Sequence, residues 1–67
     1  MTVKQRIEQE LRQDDGLDDD ELTIRLGLSR RQTVNQAARA LQRDGRLVRY
    51  KDSGYKIVNM LVPRGRS

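Results

Sequence analysis

Neither cysteine nor histidine occurs in the 67 residues, and phenylalanine and tryptophan are missing as well. Without thiol or imidazole there is no disulfide staple, no zinc site of the usual Cys/His kind, and no thiol nucleophile or imidazole acid/base. The lack of cysteine suits a reducing compartment, and the expected location is cytoplasmic. No apolar run is long enough for a membrane helix or a signal-peptide core, so no membrane partner is expected. Two tyrosines are the only aromatics and 34% of residues are hydrophobic, so the core has to be small and aliphatic. A chain of this length lies near the lower limit for folding on its own core, which predicts one domain with little stability to spare. An enzyme would be left with carboxylates and serine. Ser29, Ser53 and Ser67 sit where capping, turn or tail roles explain them, and nothing of catalytic type gathers around them. No enzymatic activity, cofactor or metal is therefore expected. The acidic run DDGLDDDE lacks the EF-hand order of alternating ligands, glycine and distant glutamate. It reads instead as helix capping, dipole compensation and a repulsive rear face.

Charge is present in quantity and unevenly spread. Residues 1–21 carry three basic side chains against eight acidic ones, while residues 22–67 carry eleven basic against two acidic, so net charges of −5 and +9 make up the total of +4. That asymmetry predicts a basic working face aimed at a polyanion and an acidic back.

Thr2 and Gln5 have capping-box spacing, and Val3, Ile7 and Leu11 recur every four residues, so a first helix is expected from Val3 to Gln13. Asp14-Asp15-Gly16 ends it, with Gly16 available for a positive backbone angle. A second, short helix begins at DDDEL, with Asp18 as N-cap and Glu21 at the capping-box position. Leu22 and Leu26 supply its buried edge, Gly27 stops it, and Leu28 enters the core from the turn. A third helix, capped by Ser29 with Gln32 at the box position, gathers Val34, Ala37, Ala38 and Leu41 in one direction at about 100° per residue. Asp44-Gly45 closes it. The period then changes. GRLVRYKDSGYKIVNM offers two short β-branched or aromatic runs around DSG, a hairpin with Gly54 in the left-handed position of a three-residue loop. Leu47 and Ile57 are its expected core residues. Three helices followed by a hairpin make an α+β chain of winged-helix type over residues 1–62.

Opposite the apolar stripe of the third helix stand Gln32, Gln36, Arg39 and Arg43, flanked by Asn35 and Thr33. An ordinary solvated helix would show lysine–glutamate pairs there. Asn and Gln can pair bidentately with adenine, and Arg with guanine, on the major-groove edge. The expected base-reading set is Gln32, Thr33, Asn35, Gln36 and Arg39, with Arg43 a full turn further on and suited to phosphate. Ser29, Arg30 and Arg31 are expected phosphate contacts as well. Two arginines in a helix's first turn oppose its dipole, at about 0.3–1 kcal/mol each, and a phosphate beside that turn would reverse the sign. The wing carries Arg46, Arg49, Lys51 and Lys56, opposed in sequence only by Asp52. Arg49, Lys51 and Lys56 are expected on flanking backbone. Tyr50 and Tyr55 read as cross-strand packing, Tyr55 also being placed to offer its hydroxyl to a phosphate.

From Val3 to Met60 the sequence resembles the winged helix-turn-helix family. ELTIRLGLSRRQTVNQAARALQRDGRLVR carries the match: a leucine pair, a glycine turn, a serine cap, an apolar stripe, then Asp-Gly into a wing strand. Many bacterial transcription regulators share this grammar. RRQTVNQ and YKIVN also look like winged-helix modules at the ends of bacterial restriction-type nucleases. The resemblance implies double-stranded DNA as partner, and association with the nucleoid when bound. It also implies a role in transcription regulation or restriction-modification, and possible covalent linkage to a further domain. Left-handed-DNA readers of this family pair an Asn with a Tyr one helical turn away and an aromatic wing residue. Asn35 and Tyr55 fit, but Arg39 stands where the tyrosine belongs and the wing prolines are missing, so a right-handed duplex is expected. With no dimerisation helix after the wing, the expected state is a monomer or weak dimer. The rival reading is a protein-interaction winged helix docking an acidic partner; single-stranded or RNA ligands are disfavoured by the scarcity of stacking aromatics. The tail LVPRGRS is similar to the protease-recognition tag LVPRGS with one arginine inserted, and residues 63–67 are set apart from the domain either as a tag remnant or as native continuation. Without its two arginines, residues 22–62 still carry nine basic side chains against two acidic, a net of +7.

Overall fold

The Gln5 amide donates to Thr2 Oγ1 at 3.2 Å and the Thr2 amide to Gln5 Oε1 at 2.9 Å, closing the box that starts α1 (Val3–Gln13). These distances come from a computed structural model that describes residues 1–62; the expected tail, residues 63–67, lies outside them. After α1 come β1 (Leu17–Asp18), α2 (Asp19–Arg25), α3 (Arg31–Arg43), β2 (Leu47–Lys51) and β3 (Ile57–Leu61). The domain is α+β, with three helices and one three-stranded antiparallel sheet in the order β1-β3-β2. Among the described residues no helix is long and apolar enough to cross a membrane.

Both α2 and α3 end as their glycines predict. Gly27 (φ 68°) and Gly45 (φ 77°) take left-handed C′ positions. Around them, Leu28 N donates to Thr23 O and Arg46 N to Leu41 O, each at 3.0 Å, the long bond of a Schellman turn. Asp18 caps α2 through a 2.7 Å bond from Glu21 N. The cap of α3 differs from expectation. Arg30, not Ser29, is the N-cap, and no side chain bonds the free amides there. Ser29 sits one residue too early in the turn to reach them.

The core gathers Ile7, Leu11, Leu22, Leu26, Val34, Ala38, Leu41 and Leu47, with Val3, Leu17, Leu28, Ala37 and Leu61 packed against it. Burying each large aliphatic side chain contributes about 1.5–3 kcal/mol. Two strand expectations need correction. The pair Leu17–Asp18 forms a third strand, pairing with Asn59 and Val58, which no period-two pattern announces in so short a piece. Ile57 is only half-buried, whereas Val58 and Asn59 are buried. With β1 on one side and β2 on the other, β3 is the central strand, so burial concentrates in its middle rather than at its start.

The loop between β2 and β3 is also displaced by one residue. Lys51 pairs with Ile57, Asp52 N donates to Lys56 O, and Tyr55 N donates to Asp52 O. Asp52 Oδ1 accepts from Gly54 N at 2.8 Å and from Lys56 N at 3.1 Å. This register makes Tyr55, not Gly54, the left-handed residue, with φ 64°. A side chain in that region costs roughly 1–2 kcal/mol.

Candidate nucleic-acid interface

Val34, Ala38 and Leu41 anchor α3 in the core, and this fixes the direction of everything else on the helix. Gln32, Thr33, Gln36, Arg39 and Arg43 are exposed, and their side chains make no hydrogen bond or ion pair to another described residue. An open depression of about 520 Å³ at the N-terminal end of α3 is lined by Arg30, Arg31, Gln32 and Asn35. Asn35 differs from the rest of the expected reading set. It is half-buried, and its Nδ2 donates to Asp19 Oδ2 at 3.1 Å.

That bond belongs to a polar network tying α3 to the sheet. Arg49 Nη2 meets Asp19 Oδ2 at 2.8 Å, and both side chains are only 8% exposed. Arg49 Nη1 also donates to the Asn35 carbonyl at 3.3 Å. Asn59 Nδ2 donates to Asp19 Oδ1 at 2.7 Å and to the Leu17 carbonyl at 3.0 Å, while its Oδ1 is buried with no protein partner. The two Asn59 acceptors settle which way its amide points. Asn59 has no role in the sequence pattern, and Asp19 has none there beyond the dipole compensation of its acidic run. Asn59 did leave a trace, as the one polar residue inside the apolar run IVNML, since a buried amide requires partners.

The expected phosphate set divides once the ion pairs are placed. Arg49 is committed to Asp19, and the expectation of a backbone contact from it is withdrawn: removing it from a buried pair would strand the carboxylate. Arg31 Nη1 lies 3.1 Å from Asp20 Oδ1, and Lys56 Nζ lies 3.6 Å from Asp18 Oδ2. Arg46 is bound to the buried Glu8 at 2.7 Å. Of Arg46, Arg49, Lys51 and Lys56, only Lys51 has no carboxylate partner among the described residues. Arg30, Arg39 and Arg43 are likewise unpaired there, and Ser29 is exposed in the turn before α3. Arg31's apparent violation of the helix dipole thus has a local cause in Asp20. The acidic run is not at the rear either, because Asp18, Asp19 and Asp20 stand beside the N-terminal half of α3. A second acidic cluster, Glu10, Asp14 and Glu21, surrounds Arg25, which bonds Asp14 at 3.0 Å. That hydrogen bond raises the Arg25 pKa against the desolvation that lowers it, with the charges of Asp14, Glu21 and Glu10 adding to the rise.

Between the start of α2, α3 and the β2–β3 hairpin runs a cleft of about 280 Å³, lined by Asp18, Asp20, Arg31, Asn35, Tyr55 and Lys56 among others. It joins the α3 face and the hairpin tip into one continuous surface. No protein-family model, no curated protein and no solved structure matches the chain.

Proposed function

We propose that the domain is a winged helix that binds double-stranded DNA, as a transcription regulator or as the targeting domain of a larger nucleic-acid enzyme. α3 lies in the major groove and presents Gln32, Thr33, Gln36 and Arg39 to base edges. Asn35 contributes from the flank, by its amide oxygen, since its amide nitrogen is held by Asp19. Arg30, Arg43 and Lys51 take backbone phosphates, joined by Ser29; Arg31 and Lys56 reach phosphates only by exchanging their aspartate partners. The observation that carries this reading is one helix whose inner edge is buried at Val34, Ala38 and Leu41 and whose outer face holds uncommitted amides and guanidinium groups.

The test is the salt dependence of duplex binding. The three unpaired cations placed on phosphates (Arg30, Arg43 and Lys51) predict a log–log slope of about −2.7, at roughly 0.9 per neutralised phosphate. A slope shallower than about −2 removes the proposal.

One observation favours a different partner. Val48 and Tyr50 are exposed on the outer side of β2, and Tyr50 Oη meets Met60 Sδ at 3.3 Å across the same face. An apolar face of this kind fits a protein surface better than a phosphate backbone. Chemical-shift mapping with a mixed-sequence duplex separates the two readings. Perturbations on α3 at low salt support DNA, and their absence favours a protein partner.

A further inference from the structure

Tyr55 stands in the left-handed region with φ 64° although Gly54, the residue suited to that conformation, is its immediate neighbour. The three-residue loop 53–55, closed by Tyr55 N to Asp52 O and Asp52 N to Lys56 O, requires a left-handed residue at that place, but it does not require an aromatic one. The ring is 84% exposed and its hydroxyl bonds no other described residue, whereas Tyr50 lies on the sheet with its hydroxyl on Met60. The loop beneath is nonetheless well tied, by Asp52 Oδ1 to two amides and by Asp52 N to Lys56 O. An aromatic side chain is thus projected from a braced turn, on the border of the cleft that Asn35 and Arg31 share. Bulky residues held in such backbone conformations cluster at sites where a ligand uses them.

We propose that the Tyr55 ring is a further duplex contact, lying against the deoxyribose edge of the backbone that flanks the site read by α3. The inference rests on the DNA-binding reading above and adds a neutral subsite to it. The surrounding charge selects sugar over phosphate. Asp18, Asp19 and Asp20 already hold Lys56, Arg49 and Arg31, so a phosphate pressed into this cleft meets three carboxylates and no uncommitted cation. A deoxyribose carries no charge to repel, and the ring offers it an apolar face. Bracing by Asp52 means little ordering entropy is lost when the contact forms.

Fluorescence anisotropy with a labelled mixed-sequence duplex, alongside thermal melts, tests this with Tyr55→Gly, Tyr55→Phe and, as a control on α3, Arg39→Ala. Tyr55→Gly is expected to bind about tenfold more weakly, as loss of an aromatic contact does. Its salt slope stays unchanged, because no charge is lost. Its melting temperature stays level or rises, because glycine accepts the positive φ without strain. Tyr55→Phe binds like the parent. Tyr55→Gly binding as tightly as the parent overturns the inference, as does weaker binding accompanied by a lower melting temperature, which marks a structural role. A loss in Tyr55→Phe equal to that in Tyr55→Gly moves the contact to the hydroxyl and overturns the sugar-edge assignment. If Arg39→Ala weakens binding and Tyr55→Gly does not, this inference falls and the duplex reading stands. If the parent binds no duplex, both fall.

Discussion

At the scale of single residues, the sign of a side chain's charge says little until its partner is known. Arg49 looks like a wing cation in the sequence and is instead half of a buried pair with Asp19. Asp19→Ala would leave that guanidinium buried and uncompensated, so urea unfolding is expected to show a loss of about 3–5 kcal/mol. Adding Arg49→Met to the same chain should recover a large part, since an apolar pair of similar volume has no desolvation to offset. A double variant no more stable than Asp19→Ala alone would mean that the pair is not the unit. On α3, Arg39→Ala is expected to relax base preference at one position by about 1–3 kcal/mol in a selection assay, while Arg43→Ala weakens all duplexes alike. Identical behaviour of the two would void the division between reading and anchoring.

At the scale of elements, the local signals were largely sufficient. The bounds of α1, the Asp18 cap on α2 and the glycine stops of α2 and α3 all follow from side chains within a few residues of where they act. Such bonds need no tertiary partner, which is why they could be read. Gly45→Ala isolates one of them. A Cβ at Gly45 would meet nothing within 4 Å, so only the backbone angle is disturbed, and the melt should report a loss of roughly 1–2 kcal/mol. The misplaced elements share a different cause. β1, the Arg30 cap and the Tyr55 turn are set by how β3 registers against its neighbours or how α3 seats on the core. Two-residue strands and one-residue shifts leave no periodic trace.

For the molecule as a whole, charge separates into a braced portion and an uncommitted one. Arg46, Arg49 and Arg25 hold α1, α2 and the sheet together through Glu8, Asp19 and Asp14, whereas Arg39, Arg43 and Lys51 hold nothing among the described residues. Arg46→Gln is therefore expected to lower stability, by about 1–3 kcal/mol for the stranded Glu8, while leaving the salt slope of duplex binding nearly unaltered. Arg43→Gln should do the reverse, reducing the slope by about 0.9 with little change in the melt. Leu41→Ala would remove a fully packed core residue at about 2–5 kcal/mol, enough to unfold much of a domain this size. Cooperative melting at nearly the parental temperature would show that the core tolerates the cavity.

Composition and periodicity alone settled the α+β class, both ends of α1, the Asp18 start of α2, the glycine stops of α2 and α3 and the two-faced character of α3, because each depends on residues within a turn or two of one another. Which cations stayed available was decided only by folding. Glu8, Asp18, Asp19 and Asp20 are remote in sequence from Arg46, Lys56, Arg49 and Arg31, and Coulomb attraction acts over ångströms, not over positions along a chain.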